Sequence, residues 1–199
     1  MHVGTHFKSI VTGKEIKMGS IGSVSNPNMV SVIHYTDEAN INSLLNNEFD
    51  FSRSGEAAGD VWGRGAYYLE KGSYEDDMYS VRLDTNSYIQ SNIDTSDYLK
   101  VDTLNTNAYS STNKMYDDAA KSFNKAIHRE YTSLKNRLKT EGNSNPNKEA
   151  FTTIAKRYYS GLIIQHRVNG GKYIDPLSGG NQIVVYNQNT IKSKKRGQN

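Results

Sequence analysis

Apolar residues along this 199-residue chain fall into short β-type runs separated by long polar stretches, and the period changes once, after Lys114. Met29–His34 (MVSVIH) is β-branched and apolar enough for a buried strand that ends at His34-Tyr35-Thr36. Thr36 or Asp37 then caps a helix whose apolar positions Ile41, Leu44 and Leu45 follow i, i+3, i+4 spacing. Phe49 and Phe51 lead into a polar loop over 52–60. Val61-Trp62-Gly63-Arg64-Gly65 opens an aromatic strand, Ala66–Leu69, whose alternation puts Tyr67 and Tyr68 on opposite faces. Residues 73–81 read as a short helix carrying Tyr74 and Tyr79. Strand-like pieces follow at Ser80–Leu83 and Tyr98–Val101, then an Asn/Ser/Thr/Tyr loop over 105–113.

From Lys114 the apolar positions Met115, Ala119, Phe123, Ile127, Tyr131, Leu134 and Leu138 step by three or four, predicting one amphipathic helix that stops at Gly142. A second helix over Lys148–Tyr159 carries Phe151, Ile154, Ala155 and Tyr158 on one stripe. Gly161–Gln165 and Gln182–Tyr186 are the clearest buried strands, separated by glycine turns at 169–171 and 178–180. Residues 1–29 are polar and glycine-punctuated, with short strands expected at Phe7–Val11 and Ile21–Val24. The pattern predicts one α+β domain over about 30–192 with a helical insertion at about 113–159. It is flanked by an N-terminal extension, 1–29, which reads equally as part of the domain, and by a basic tail, 193–199.

Composition narrows the chemistry. Hydrophobic residues are 35% of the chain, which predicts a modest core with long polar connections. There is no cysteine, so disulfides, thiolate nucleophiles, cysteine-based zinc sites and iron–sulfur clusters are excluded. His2, His6, His128 and His166 lack metal-ligand spacing and read as surface or tail residues, so no metal is expected. Without the four cations of the last eight residues the formal charge falls from +3 to −1. The basic character thus belongs to the tail, which reads first as a solvated end and second as a contact for nucleic acid or an acidic partner. No 18-residue apolar stretch and no apolar leader segment are visible, so neither a membrane partner nor a conventional signal peptide is expected. A host cytoplasm or a virion suits such a chain. Gly63-x-Gly65 has Tyr68 where a dinucleotide-fold fingerprint needs its third glycine, and Gly170-Gly171-Lys172 lacks the rest of a phosphate loop.

Three separated pieces remain: V-I-H-Y-T at 32–36, W-G-R-G-A-Y-Y at 62–68, and N-Q-I-V-V-Y at 181–186. Singly, each reads as an ordinary strand end or glycine turn. In this order they resemble the NAD-binding motifs of ADP-ribosyltransferases of the diphtheria-toxin and poly(ADP-ribose) polymerase branch. That family pairs a strand-end H-G-T/S or H-Y-T with G-[RK]-G-hydrophobic-Tyr-aromatic and a late strand opening with glutamate. The closing segments, 161–164, 182–187 and 191–193, are similar to transferase domains of bacteriophage head-associated proteins and bacterial polymorphic toxins. The likeness covers about 30–192, leaving out the inserted helices at 113–141.

The resemblance implies an ADP-ribosyltransferase fold, two small packed β-sheets around a central NAD cleft. NAD would be a substrate, its ADP-ribose passing to an unknown protein or nucleic-acid acceptor, in a phage or host-cell setting, with release of nicotinamide. His34 would hydrogen-bond the ribose next to nicotinamide, and the Tyr35 backbone would meet the carboxamide. Tyr67 would pack on the nicotinamide ring, with Tyr79, rather than Tyr74, on its other side. Thr36, Arg64, Gly65, Ala66 and Tyr68 would complete the NAD-binding set. Gln182 stands where the family has its catalytic glutamate, and Gly180, two residues earlier, rules out the E/Q-x-E signature of arginine-directed relatives. A glutamine brings no negative charge to the oxocarbenium-like sugar, and losing one such contact costs ~10²–10³ in rate. Glu70, Asp175 and Glu56 are the carboxylates that could substitute. The alternatives are a catalytically weak NAD-binding pseudoenzyme and a virion-associated module whose basic tail contacts nucleic acid.

Overall fold

The computed structural model describes residues 7–8, 15–16, 26–53, 61–70, 87–104, 111–167 and 182–197. Tyr79 and its helix, the strands Ser80–Leu83 and Ile21–Val24, the glycine turns at 169–171 and 178–180, Glu56 and Asp175 lie outside these residues.

Phe7–Lys8 (β1) pairs with Glu15–Ile16 (β2) as a separate two-stranded ladder. The main sheet is built from β3 (Met29–Tyr35), β4 (Ala66–Glu70), β5 (Tyr88–Asp94), β6 (Tyr98–Leu104), β7 (Gly161–Arg167), β8 (Gln182–Val185) and β9 (Ile191–Arg196). Their order is β6-β7-β8-β4-β3-β5-β9, and every pairing is antiparallel except β6 with β7. The parallel pair is reached through the helical insertion, the kind of long crossover that parallel strands require. The fold is α+β. The ladders join these strands into one sheet, where two packed sheets were expected, and the join is thin at one place: β3 and β4 share only Val32↔Glu70 and Ile33↔Leu69.

Strand alternation sends side chains to two cores. On one face Leu99, Val101, Leu162, Ile164 and Val184 pack under α2 (Thr112–Ala119), α3 (Lys125–Thr140) and α4 (Pro146–Tyr158), with Trp62 and Phe151 fully buried among them. On the other face Val32, Ala66, Tyr68, Ile93, Ile163 and Ile183 pack with Phe49, which follows α1 (Glu38–Asn46). Asp37 takes the N-cap position of α1, without a side-chain cap bond.

Three sequence expectations change. The long helix from Lys114 is broken: α2 ends at Ala119, a 3-10 turn spans Ala120–Ser122, and Phe123 is extended. Asn124 then starts α3 by accepting from the backbone N–H groups of Ala126 and Ile127, both at 3.0 Å. An Asn that caps offers the backbone a better partner than mid-helix continuation. Gly142, at φ +77°, stops α3 as predicted, with Gly142 N–H bonded to Lys139 O and Asn143 N–H to Leu138 O. β5 stands where the polar residues predict turns: Ile89, Ser91 and Ile93 alternate inward, while the intervening Gln90 and Asn92 interrupt the apolar run. The basic tail is likewise a strand as far as Arg196, paired with β5 along its lysines. Lysines on an outermost strand discourage pairing with another chain.

Candidate active site

The motif pieces meet in the middle of the sheet. β4, which follows the Gly-Arg-Gly loop, lies between β8, which opens with Gln182, and β3, which carries His34. Gly65 is required by this contact, because a Cβ there would stand 2.6 Å from the carbonyl oxygen of Val185 on β8. Gly63 sits at φ +87°, a conformation other residues rarely adopt. Three phenols hold the backbone before β4. The Tyr67 hydroxyl donates to Gly63 O at 2.7 Å and accepts from Trp62 N–H at 3.0 Å. Tyr186 donates to Trp62 O, and Tyr116 to Val61 O. Burial raises the Tyr186 phenol well above its ordinary value, so it stays a donor.

β3 stays paired with β5 through Tyr35↔Tyr88, whereas its ladder with β4 ends at Ile33↔Leu69. Beyond that point the His34 side chain bridges the strands. Its Nδ1 lies 2.8 Å from the carbonyl oxygen of Tyr67. A carbonyl only accepts, so Nδ1 carries the proton and, in the neutral ring, Nε2 is an acceptor. Burial lowers the pKa of His34, with the bond to Tyr67 O opposing it, so the ring is neutral at pH 7. No partner for Nε2 is found among the described residues. The ring is held edge-on by Phe49, centroids 5.1 Å apart, and lies against Tyr68 at 5.6 Å.

Alternation sorts the remaining expected site residues. Tyr68 is fully buried on the His34 face, where Ser91 Oγ donates to its hydroxyl at 3.5 Å. Ala66 and Glu70 share that face, Glu70 being half-buried and opposite Val32. Tyr67 leaves on the helix-covered face, half-buried against the Trp62 core, and Gln182 shares the face of Val184. The sheet therefore brings His34 to the Tyr67 backbone, to Tyr68 and to the Glu70 side of β4. The Tyr67 phenol and the Gln182 amide lie on the other face. The resemblance implied that the Tyr67 ring packs on nicotinamide beside the ribose bound by His34; the sheet instead sends that ring to the face opposite the imidazole. Tyr35 packs edge-on against Tyr88 at 5.9 Å, and Thr36 N–H donates to Ser87 O at 3.3 Å.

Arg64 is exposed on the lip of a cleft of about 300 Å³ that it shares with Phe51, Ser52, Lys156 and Tyr186. The Lys156 ammonium stands 5.3 Å from the centre of the Tyr186 ring. Lys156 and Phe49 escaped the sequence reading, since neither belongs to a motif and Lys156 comes from the inserted α4. His128, expected at the surface, is half-buried, with Nδ1 2.8 Å from Ala120 O. Among the described residues no group of His, Asp and Glu could hold a metal, and no helix is long and apolar enough to cross a membrane. Comparison of the chain with protein-family models, curated proteins and solved structures returns no match.

Proposed function

We propose that the chain is an NAD-dependent mono-ADP-ribosyltransferase that passes ADP-ribose to a macromolecular acceptor and releases nicotinamide. The observation that carries this is adjacency: three motif pieces remote in sequence lie on neighbouring strands, with β4 at the centre and the β3–β4 ladder ending beside His34. In the reaction the bond between nicotinamide and the ribose C1′ breaks, and the pyridine nitrogen keeps the electron pair. The acceptor's nucleophile then bonds C1′ and gives up its proton. Neutral His34 supplies Nε2 as an acceptor for a ribose hydroxyl. Tyr67 acts through its carbonyl, which orients His34, and through its phenol, which sets the Gly63 turn. Arg64 and Lys156 bring two cations to the cleft they share with Phe51, Ser52 and Tyr186, the charge a pyrophosphate requires.

Gln182 carries no charge, and its amide lies on the sheet face opposite His34. Glu70 is the carboxylate that β4 carries on the His34 face, two positions from Tyr68, or about 7 Å of strand rise. It is the better source of negative charge for the developing cation. Nicotinamide release with labelled NAD, followed by intact-mass analysis of acceptor proteins and nucleic acids, tests the assignment. His34→Ala should lower release by ~10²-fold or more and Glu70→Gln by ~10²–10³-fold. Release by the wild type no greater than by His34→Ala would end the proposal.

The glutamine favours one second reading, an NAD-binding pseudoenzyme. It expects NAD to raise the melting temperature without being consumed, and Gln182→Glu to create turnover. Wild-type turnover above that of Gln182→Glu would count against it.

A further inference from the structure

The segment after β8 reaches back to the ring that flanks His34. The side-chain amide of Gln188 accepts from Phe49 N–H at 2.6 Å and donates to Phe49 O at 2.6 Å, satisfying both backbone groups of one residue as a neighbouring strand would. A primary amide does both at once from two separate atoms, its oxygen accepting and its NH2 donating. From β9, the Lys194 ammonium donates to Leu44 O at 2.6 Å and to Asn47 O, and stands 5.6 Å from the centre of the Phe49 ring. Leu44 and Asn47 are the last turn and the C-cap of α1, where carbonyls lack helical partners and a cation is favoured. Lys194 is partly buried, as a cation spent on such contacts must be. Phe49 therefore has its backbone fixed by Gln188 and its approach from α1 fixed by Lys194, and its ring meets the imidazole edge-on.

We infer that Gln188 and Lys194 are positioning residues for His34: through Phe49 they hold the imidazole in the one orientation that gives Nδ1–H to Tyr67 O and turns Nε2 outward. Lys194, which reads as part of a basic tail, then belongs to the site's framework. The inference rests on the transferase assignment only for its NAD arm.

The test uses the full chain with ¹⁵N-labelled histidine, Gln188→Glu (isosteric, unable to donate) and Lys194→Met (keeping the stem). Lys195→Met on the same strand is the control for lost charge. Wild type and Lys195→Met should show His34 as the Nδ1–H tautomer. Gln188→Glu and Lys194→Met should shift it toward the Nε2–H form and weaken NAD binding by about tenfold. An unmoved His34 tautomer in the folded variants overturns the inference. Should Gln188→Glu fail to fold, Lys194→Met decides in the same way. A tautomer shift in a protein that binds no NAD would uphold the positioning role and sink the transferase assignment.

Discussion

The two faces of the sheet each carry an aromatic cluster, four rings on one and three on the other, and the smaller one includes the imidazole of His34. On the helix-covered face Trp62, Tyr116, Phe123 and Phe151 pack ring on ring, with centroids 5.2–6.0 Å apart, and all are buried. On the other face Phe49 and Tyr68 pack at 5.7 Å, and the third ring is the imidazole of His34. In the first cluster the Tyr116 hydroxyl is spent on Val61 O. The second holds a ring whose Nδ1 is committed and whose Nε2 has no described partner. Similar aromatic packing thus makes a core in one place and a candidate site in the other. What separates them is that the β3–β4 ladder stops, so a side chain takes the place of a backbone bond.

Cutting into the sealed cluster should cost most. Phe151→Ala removes a fully buried ring and is expected to destabilise by ~3–5 kcal/mol in urea titration. A loss below about 1 kcal/mol would mean that this face is not the main core. Gly65→Ala comes next, at ~1–3 kcal/mol, because the new methyl meets Val185 O and β4 must move from β8. A neutral outcome would show that the strands do not approach as closely as described. Tyr68→Phe, in the second cluster, removes only a hydroxyl with a 3.5 Å contact and should cost under about 0.5 kcal/mol by the same titration.

The last contrast is confined to a pH window. Burial holds the His34 pKa below its ordinary 6.5, so the unfolded chain takes up the proton first. The stability due to the neutral ring is fully present above about pH 6.5 and is lost as pH falls below it, until the folded-state imidazole titrates as well. His34→Gln should show a flatter stability profile across that window, and Phe151→Leu should keep the wild-type slope. Equal slopes for wild type and His34→Gln would show that the imidazole is not protected by burial.

Much of this was legible in the residues. Met29–His34, Ala66–Leu69, Gly161–Gln165 and Gln182–Tyr186 announced their strands because buried β-branched and aromatic runs are hard to read otherwise. Their adjacency was not, since strand order depends on long-range pairing that local pattern does not encode. Asn124 hid the break between α2 and α3, because the apolar period runs through it unbroken. β9 was hidden by its charge: lysines suit an edge strand as well as a solvated end, and only pairing with β5 decides between them. Of the site, His34 and the glycines were visible by motif. The side of the sheet on which Tyr67, Gln182 and Glu70 emerge follows from register, which local pattern does not encode.

Titration of NAD into the ¹⁵N-histidine-labelled chain tests the central claim most directly. A dinucleotide bound where the β3–β4 ladder ends should move the His34 Nε2 resonance in a saturable manner and leave His128, on α3, unchanged. NAD that leaves His34 where it was, or that moves both histidines alike, would contradict it.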